Sequence, residues 1–140
     1  MKKRLGSLAA ALFLLLPMTA AAETTWVVDA SVPVVGAGGG YVFREFRVTT
    51  GVWPVAAGHT AGVVYTWDNW QTTQWGTLTW QYNAANAYGS QDEVWKGSFL
   101  IPPHVSWSSV QYAIYVDDAA GNRTWNNNNG QNFVVVPGGA

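Results

Sequence analysis

Three stretches of this sequence set aromatic rings beside small amide and acid side chains. Tyr65-Thr66-Trp67-Asp68-Asn69-Trp70 reads as a strand leaving into a turn that presents Asp68, Asn69 and Trp70. Tyr112-Ala113-Ile114-Tyr115 is a strand whose two tyrosines fall on opposite faces, so one can serve the core while the other faces out. Trp125-Asn126-Asn127-Asn128-Asn129-Gly130-Gln131-Asn132-Phe133 is the most unusual stretch of the chain. A pyranose ring has a face of C–H bonds that stacks on an aromatic surface and a rim of hydroxyls that donate and accept. Asn and Gln also do both, and they meet such a rim without desolvating a full charge. This inventory points to a neutral carbohydrate. The Asn run has a second reading, because Asn bonds its own backbone and tolerates left-handed conformations, and Asn129-Gly130 is an ordinary hairpin signal.

Composition narrows the function classes. All nine tryptophans (Trp26, Trp53, Trp67, Trp70, Trp75, Trp80, Trp95, Trp107, Trp125) follow an N-terminal stretch with the form of a secretory signal. Met1–Arg4 is basic, Leu5–Pro17 is largely apolar, and Ala20–Ala22 supplies small residues for cleavage before Glu23. The apolar stretch is well short of the ~20 residues of a membrane-spanning helix. Cleavage there predicts a secreted or periplasmic protein, bacterial in its signal, whose residues 23–140 form a single domain. The remaining chain holds four basic residues (Arg44, Arg47, Lys96, Arg123) against eight acidic ones, a balance of −4. Scattered cations cannot neutralise a phosphate backbone, so neither nucleic acid nor an anionic membrane surface is an expected partner. With no cysteine, thiol chemistry and cysteine-ligated zinc are excluded. A buried indole must find a partner for its N–H, so a core this small cannot use nine, and clustered exposed aromatics mark a binding face.

The elements that must position these residues read as strands. Thr25–Val28, Tyr41–Thr49, Ala61–Trp67, Gly76–Tyr82, Glu93–Ile101, Val110–Val116 and Gln131–Val136 are β-rich, with turn-rich separators and a Gly36–Gly40 stretch that reads as a flexible loop. Within Glu93–Ile101, Trp95, Gly97, Phe99 and Ile101 share one face, with Val94, Lys96 and Ser98 on the other. The expected fold is all-β, an immunoglobulin-like antiparallel sandwich of seven to eight strands.

Taken in order, Val63–Trp70, Asp92–Pro102, Tyr112–Tyr115 and Trp125–Phe133 resemble the family 21 carbohydrate-binding modules, which bind starch and glycogen. The resemblance covers about the last two thirds of the chain beyond Ala22. It implies an immunoglobulin-like sandwich and a sugar site made by Trp70, Tyr112 and Trp125, with Asn127, Asn128 and Asn132 meeting hydroxyls beside Asp68 and Asn69. Asn126 stands where the family has Asp, and Phe133 where it has Tyr. The region before Tyr65 carries Val55-Ala56-Ala57-Gly58-His59 where the family has an aromatic of a second sugar site; Trp80 and Tyr82 are the residues available to rebuild part of it. The implied ligand is an α-glucan, with a partner enzyme as a possible recipient. A structural or adhesive domain that binds a protein partner is the alternative. A glycosidase would need two carboxyls flanking the scissile bond. Asp68, Asp92, Glu93, Asp117 and Asp118 are available, but such acids on turns are usually solvated, so no catalysis is expected. His59 and His104 lack metal-ligand spacing, and no cofactor is expected.

Overall fold

The computed structural model describes residues 23–137. The expected signal segment and the Gly138–Ala140 tail lie outside them. Nine strands follow one another: β1 (Thr24–Ser31), β2 (Val34–Gly38), β3 (Tyr41–Trp53), β4 (Thr60–Thr66), β5 (Gln74–Ala85), β6 (Gln91–Ile101), β7 (Val110–Asp117), β8 (Arg123–Asn126) and β9 (Phe133–Val135). All pairings are antiparallel. The path runs β1-β3-β6-β5-β4-β7-β8, with β2 added to β3 and β9 to β7. The all-β sandwich expected from the sequence is the fold observed, and two short strands account for the larger number.

One layer holds β1, β2, β3 and β6; the other holds β4, β7, β8 and β9. β5 belongs to both. Its first half pairs with β4 (Val64↔Trp75, Ala61↔Leu78), and its second half pairs with β6 (Thr79↔Lys96, Ala85↔Gln91). At the far edge the Asn126 amide donates to Thr25 O over 2.8 Å, tying β8 to β1 and nearly closing the sheet. The Gly36–Gly40 stretch is not a loop. Only Gly39 and Gly40 form the turn, with φ of 60° and 85°, and the preceding residues pair with β3. A two-residue hairpin turn with both positions left-handed is the kind that glycine makes easily.

The core obeys strand alternation. Phe46, Val48 and Val52 of β3, Val63 and Tyr65 of β4, Trp95 and Ile101 of β6, and Tyr112, Ile114 and Val116 of β7 are all buried. Phe46 sits at its centre, with ring centroids 5.1 Å from Tyr65, 5.0 Å from Tyr112 and 6.3 Å from Phe99. Once the even-numbered residues of β7 serve the core, its odd-numbered residues Gln111, Ala113 and Tyr115 must point out of the other side of the layer.

Candidate functional site

The turn after β4 is built to display Trp70. Asn69 and Trp70 both have left-handed backbones, φ 62° and 68°. For an indole-bearing residue that conformation costs about 1–2 kcal/mol, so surrounding bonds must hold it. Thr66 Oγ1 accepts from Asp68 N (3.2 Å) and Trp70 N (3.0 Å). Asp68 in turn accepts from Thr72 N (2.9 Å), Thr72 Oγ1 (2.6 Å) and the Thr66 hydroxyl (2.7 Å). Those bonds, the Thr72 hydroxyl's first, hold the Asp68 carboxyl below its usual range. Asp68 therefore shapes the turn and is not free to meet a ligand. The Trp70 indole N–H donates to Gln111 Oε1 (3.2 Å), and Gln111 Nε2 donates to Asn69 Oδ1 (2.8 Å). Trp70 is thereby hooked onto the outward side of β7.

Four residues along that side lies Tyr115. Around it gather Trp75 of β5 and Trp125 of β8, with centroids 5.9 Å (Trp75–Tyr115), 6.0 Å (Trp75–Trp125) and 5.1 Å (Tyr115–Trp125). Trp75 is 59% exposed and Trp125 45%. Their planes meet at 55° to 65°, which makes a wedge of rings and not a flat platform. Gly62 makes this possible, because a Cβ there would overlap the hydroxyl end of the Tyr115 ring. The Arg123 guanidinium caps Tyr115 at 3.8 Å and is clamped by Asp117 through bonds of 2.7 and 2.9 Å. This pairing lowers the Asp117 pKa and raises that of Arg123, so neither offers a free charge. At roughly 3.3 Å per residue, Gln111 and Tyr115 are about 13 Å apart. One outward surface thus carries Trp70, Trp75 and Trp125. Next to the Trp70 turn opens a cleft of about 520 Å³, lined by Trp67, Trp107, Ser106, Asn69 and Gln111.

Tyr112, expected as the middle ring of the site, is not on this surface. It is 3% exposed, packs on Phe46 and stacks on Phe133 at 5.3 Å. Burial, with the Asp29 charge, pushes its phenol up to about 12. The outward tyrosine is Tyr115. Sequence spacing placed the two on opposite faces, but which face was the core depended on β4 and β9 pairing with β7.

The Asn run spends much of its hydrogen-bonding capacity on itself. Asn128, Asn129 and Asn132 are left-handed (φ 58°, 57° and 59°), as is Gly130. Asn127 Oδ1 accepts from Gly130 N, and Asn128 Nδ2 donates to Asn132 O. Asn126 bonds at both ends, accepting from Asn128 N and donating to Thr25 O. Its amide explains the departure from Asp, since a carboxylate could not donate to that carbonyl. The loop bulges from the β7 edge between β8 and β9, with Asn127 and Asn128 exposed and Asn132 partly so. Asn127 Nδ2 and Asn128 Oδ1 remain for a ligand.

Trp80 and Tyr82 do not converge. Trp80 pairs with Trp95 and Tyr82 with Val94, so Gln81 is an extra residue that sends the two side chains to opposite faces. Trp80 instead flanks a hollow with His59, Glu93 and Trp95. There His59, 8% exposed, lies between two carboxylates, with Nδ1 2.8 Å from Glu93 and Nε2 3.1 Å from Glu23. Carboxylate oxygens accept only, so both ring nitrogens donate and the group is an imidazolium. Burial disfavours that charge, but the two bonds and two charges outweigh it and raise the pKa. Glu93 also accepts from Ala56 N and Trp95 Nε1 (both 2.9 Å). The acids considered for hydrolysis are occupied structurally: Glu93 is buried, Asp118 accepts from Ala120 N and Asn122 N, and Asp92 faces away from its neighbour Glu93.

No family model matches the sequence, and neither does any curated protein. A solved structure does. The carbohydrate binding module of the muscle glycogen-targeting subunit of Protein Phosphatase-1 superposes with a TM-score of 0.53, at 18% identity, covering 80% of this chain and 74% of that one. The fold is shared. At that identity the likeness extends to the sandwich and its strand order of packing, and the site must be argued from the residues above.

Proposed function

We propose that the chain is an exported, noncatalytic module that binds neutral α-glucan of the starch or glycogen type on the outer surface of the β4–β7–β8 layer. The observation that carries this reading is the gathering of Trp75, Tyr115 and Trp125 within about 6 Å on the surface to which Trp70 is hooked. Trp75 and Trp125 offer exposed indole faces to sugar C–H surfaces. Asn69, Gln111 and the free amide atoms of Asn127 and Asn128 offer donors and acceptors. The nearby cation Arg123 is neutralised by Asp117, which suits an uncharged ligand. The span from Trp70 to Trp125 suits a chain of sugars. The carbohydrate-binding neighbour supports the same class of ligand.

Titration calorimetry with maltoheptaose and β-cyclodextrin, and sedimentation with glycogen, test the proposal. The intact protein binds all three, and Trp70→Ala and Trp125→Ala each weaken binding. No measurable binding to any of them would overturn it. A second reading, a domain that docks a protein, is favoured by the exposed Val34, Val35, Tyr41 and Val42 of the β2–β3 hairpin. It predicts self-association or capture of a partner, indifferent to added glucan.

A further inference from the structure

The outer surface of the other layer carries an aromatic cleft of its own. Trp26 on β1 pairs with Gly51 of β3, and its indole lies over that glycine, where any Cβ would overlap the ring. Trp53, at the next outward position of β3, is 39% exposed. Facing them is the turn between β5 and β6, held rigid by one side chain. Asn86 Oδ1 accepts from Tyr88 N (2.9 Å) and Ser90 N (3.1 Å), while its amide donates to Asp92 Oδ1 (3.0 Å). That turn presents Tyr88 with 91% of its surface open. The three rings, with Asn86, Ser90 and Asp92, line a cavity of about 460 Å³. None of these residues belongs to the stretches that carried the family resemblance, apart from Asp92.

We infer that this cleft is a second glucan-binding site, on the face of the sandwich opposite to the first. The lining decides the ligand class. Its apolar surface comes from flat rings and not from aliphatic side chains, whereas a docking surface for protein draws on Met, Arg and aliphatic residues. No cation lines the cleft, which argues against an anionic ligand. The Ser90 hydroxyl and the second Asp92 oxygen supply a polar rim. A turn pre-ordered by Asn86 holds Tyr88 in place before a ligand arrives, which reduces the ordering cost of binding. Two sites on opposite faces cannot close around one short oligosaccharide. They make the module divalent, able to link separate glucan chains.

The inference rests on the glucan reading above, and the test separates the two. Calorimetry with maltoheptaose should give two equivalents for the intact protein. Tyr88→Ala, a change on an exposed turn, and Trp53→Ala should each reduce this to one, as should Trp75→Ala at the first site. Combining Tyr88→Ala with Trp75→Ala should abolish binding. The intact protein should also make glycogen solutions turbid, and each single-site variant should not. A single equivalent, lost in Trp75→Ala and unchanged in Tyr88→Ala, overturns the second site and leaves the first. No binding at all overturns both. A dimer that Tyr88→Ala converts to monomer, with one equivalent per chain, assigns the cleft to a second copy and overturns the inference.

Discussion

At Trp70 the backbone and the side chain pull in opposite directions. A tryptophan in a left-handed turn is strained, and it stays there because Asp68, Thr66 and Thr72 bond the turn around it. Strain of this kind concentrates where a side chain has to be aimed. Asp68→Ala should therefore weaken glucan binding about as much as Trp70→Ala, although Asp68 itself touches no ligand, and calorimetry reads both. Rings that anchor a ligand carry about 2 kcal/mol or more, roughly 30-fold in Kd. That loss is expected for Trp125→Ala. Tyr112→Phe should leave Kd unchanged, because Tyr112 lies in the core. Gly62→Ala tests the wedge: the new Cβ lifts Tyr115, so binding should fall while the circular dichroism of the fold is preserved.

At the scale of elements, the two ends of the site are held by different devices. The Trp70 turn is bonded within itself, whereas the Asn loop is fixed by its attachment to other strands. β8 and β9 both pair with β7, and Asn126 reaches across to Thr25 on β1. Asn126→Asp turns a donor toward a carbonyl into an acceptor. It should cost about 1–3 kcal/mol, the penalty of an unmade buried bond, measured as a shift of the urea midpoint. The bulge at Gln81 has a comparable effect on β5, since one extra residue separates Trp80 from Tyr82.

For the whole molecule, the ion cluster where the chain enters the fold matters most. His59 joins Glu23, at the start of β1, to Glu93 on β6. Because its folded pKa is raised above 6.5, its contribution is fully present below pH 6.5 and is lost as pH climbs through the raised value. Urea midpoints should therefore decline on the alkaline side, and His59→Asn should flatten that decline. Removing one member of a buried ion pair costs about 3–5 kcal/mol, the loss expected for Glu93→Ala. If export removes Met1–Ala22, Glu23 becomes the first residue, and the cluster clamps the new N-terminus onto the fold. Mass spectrometry of the exported protein should then find a chain starting at Glu23.

Much of this was legible in the sequence because strands write their burial into a period of two. Trp95, Phe99 and Ile101 turned inward together as their spacing required, and the Asp68–Trp70 and Asn126–Asn132 turns were visible from residue type. What the sequence could not decide was which of two alternating faces is inside. Tyr112 and Tyr115 are equivalent until β4 and β9 pair with Tyr112 and until Gly62 makes room for Tyr115. Trp75 carries no local signal either; it becomes part of a site only because β5, β7 and β8 bring it to Trp125. The same holds for Trp26, Trp53 and Tyr88, which are far apart in sequence and meet only across the sheet. Alternation is a local property of the backbone, so sequence alone determined the strands and the aromatic supply. Facing and clustering depend on non-local pairing and register, so only the tertiary structure decided which rings share a surface.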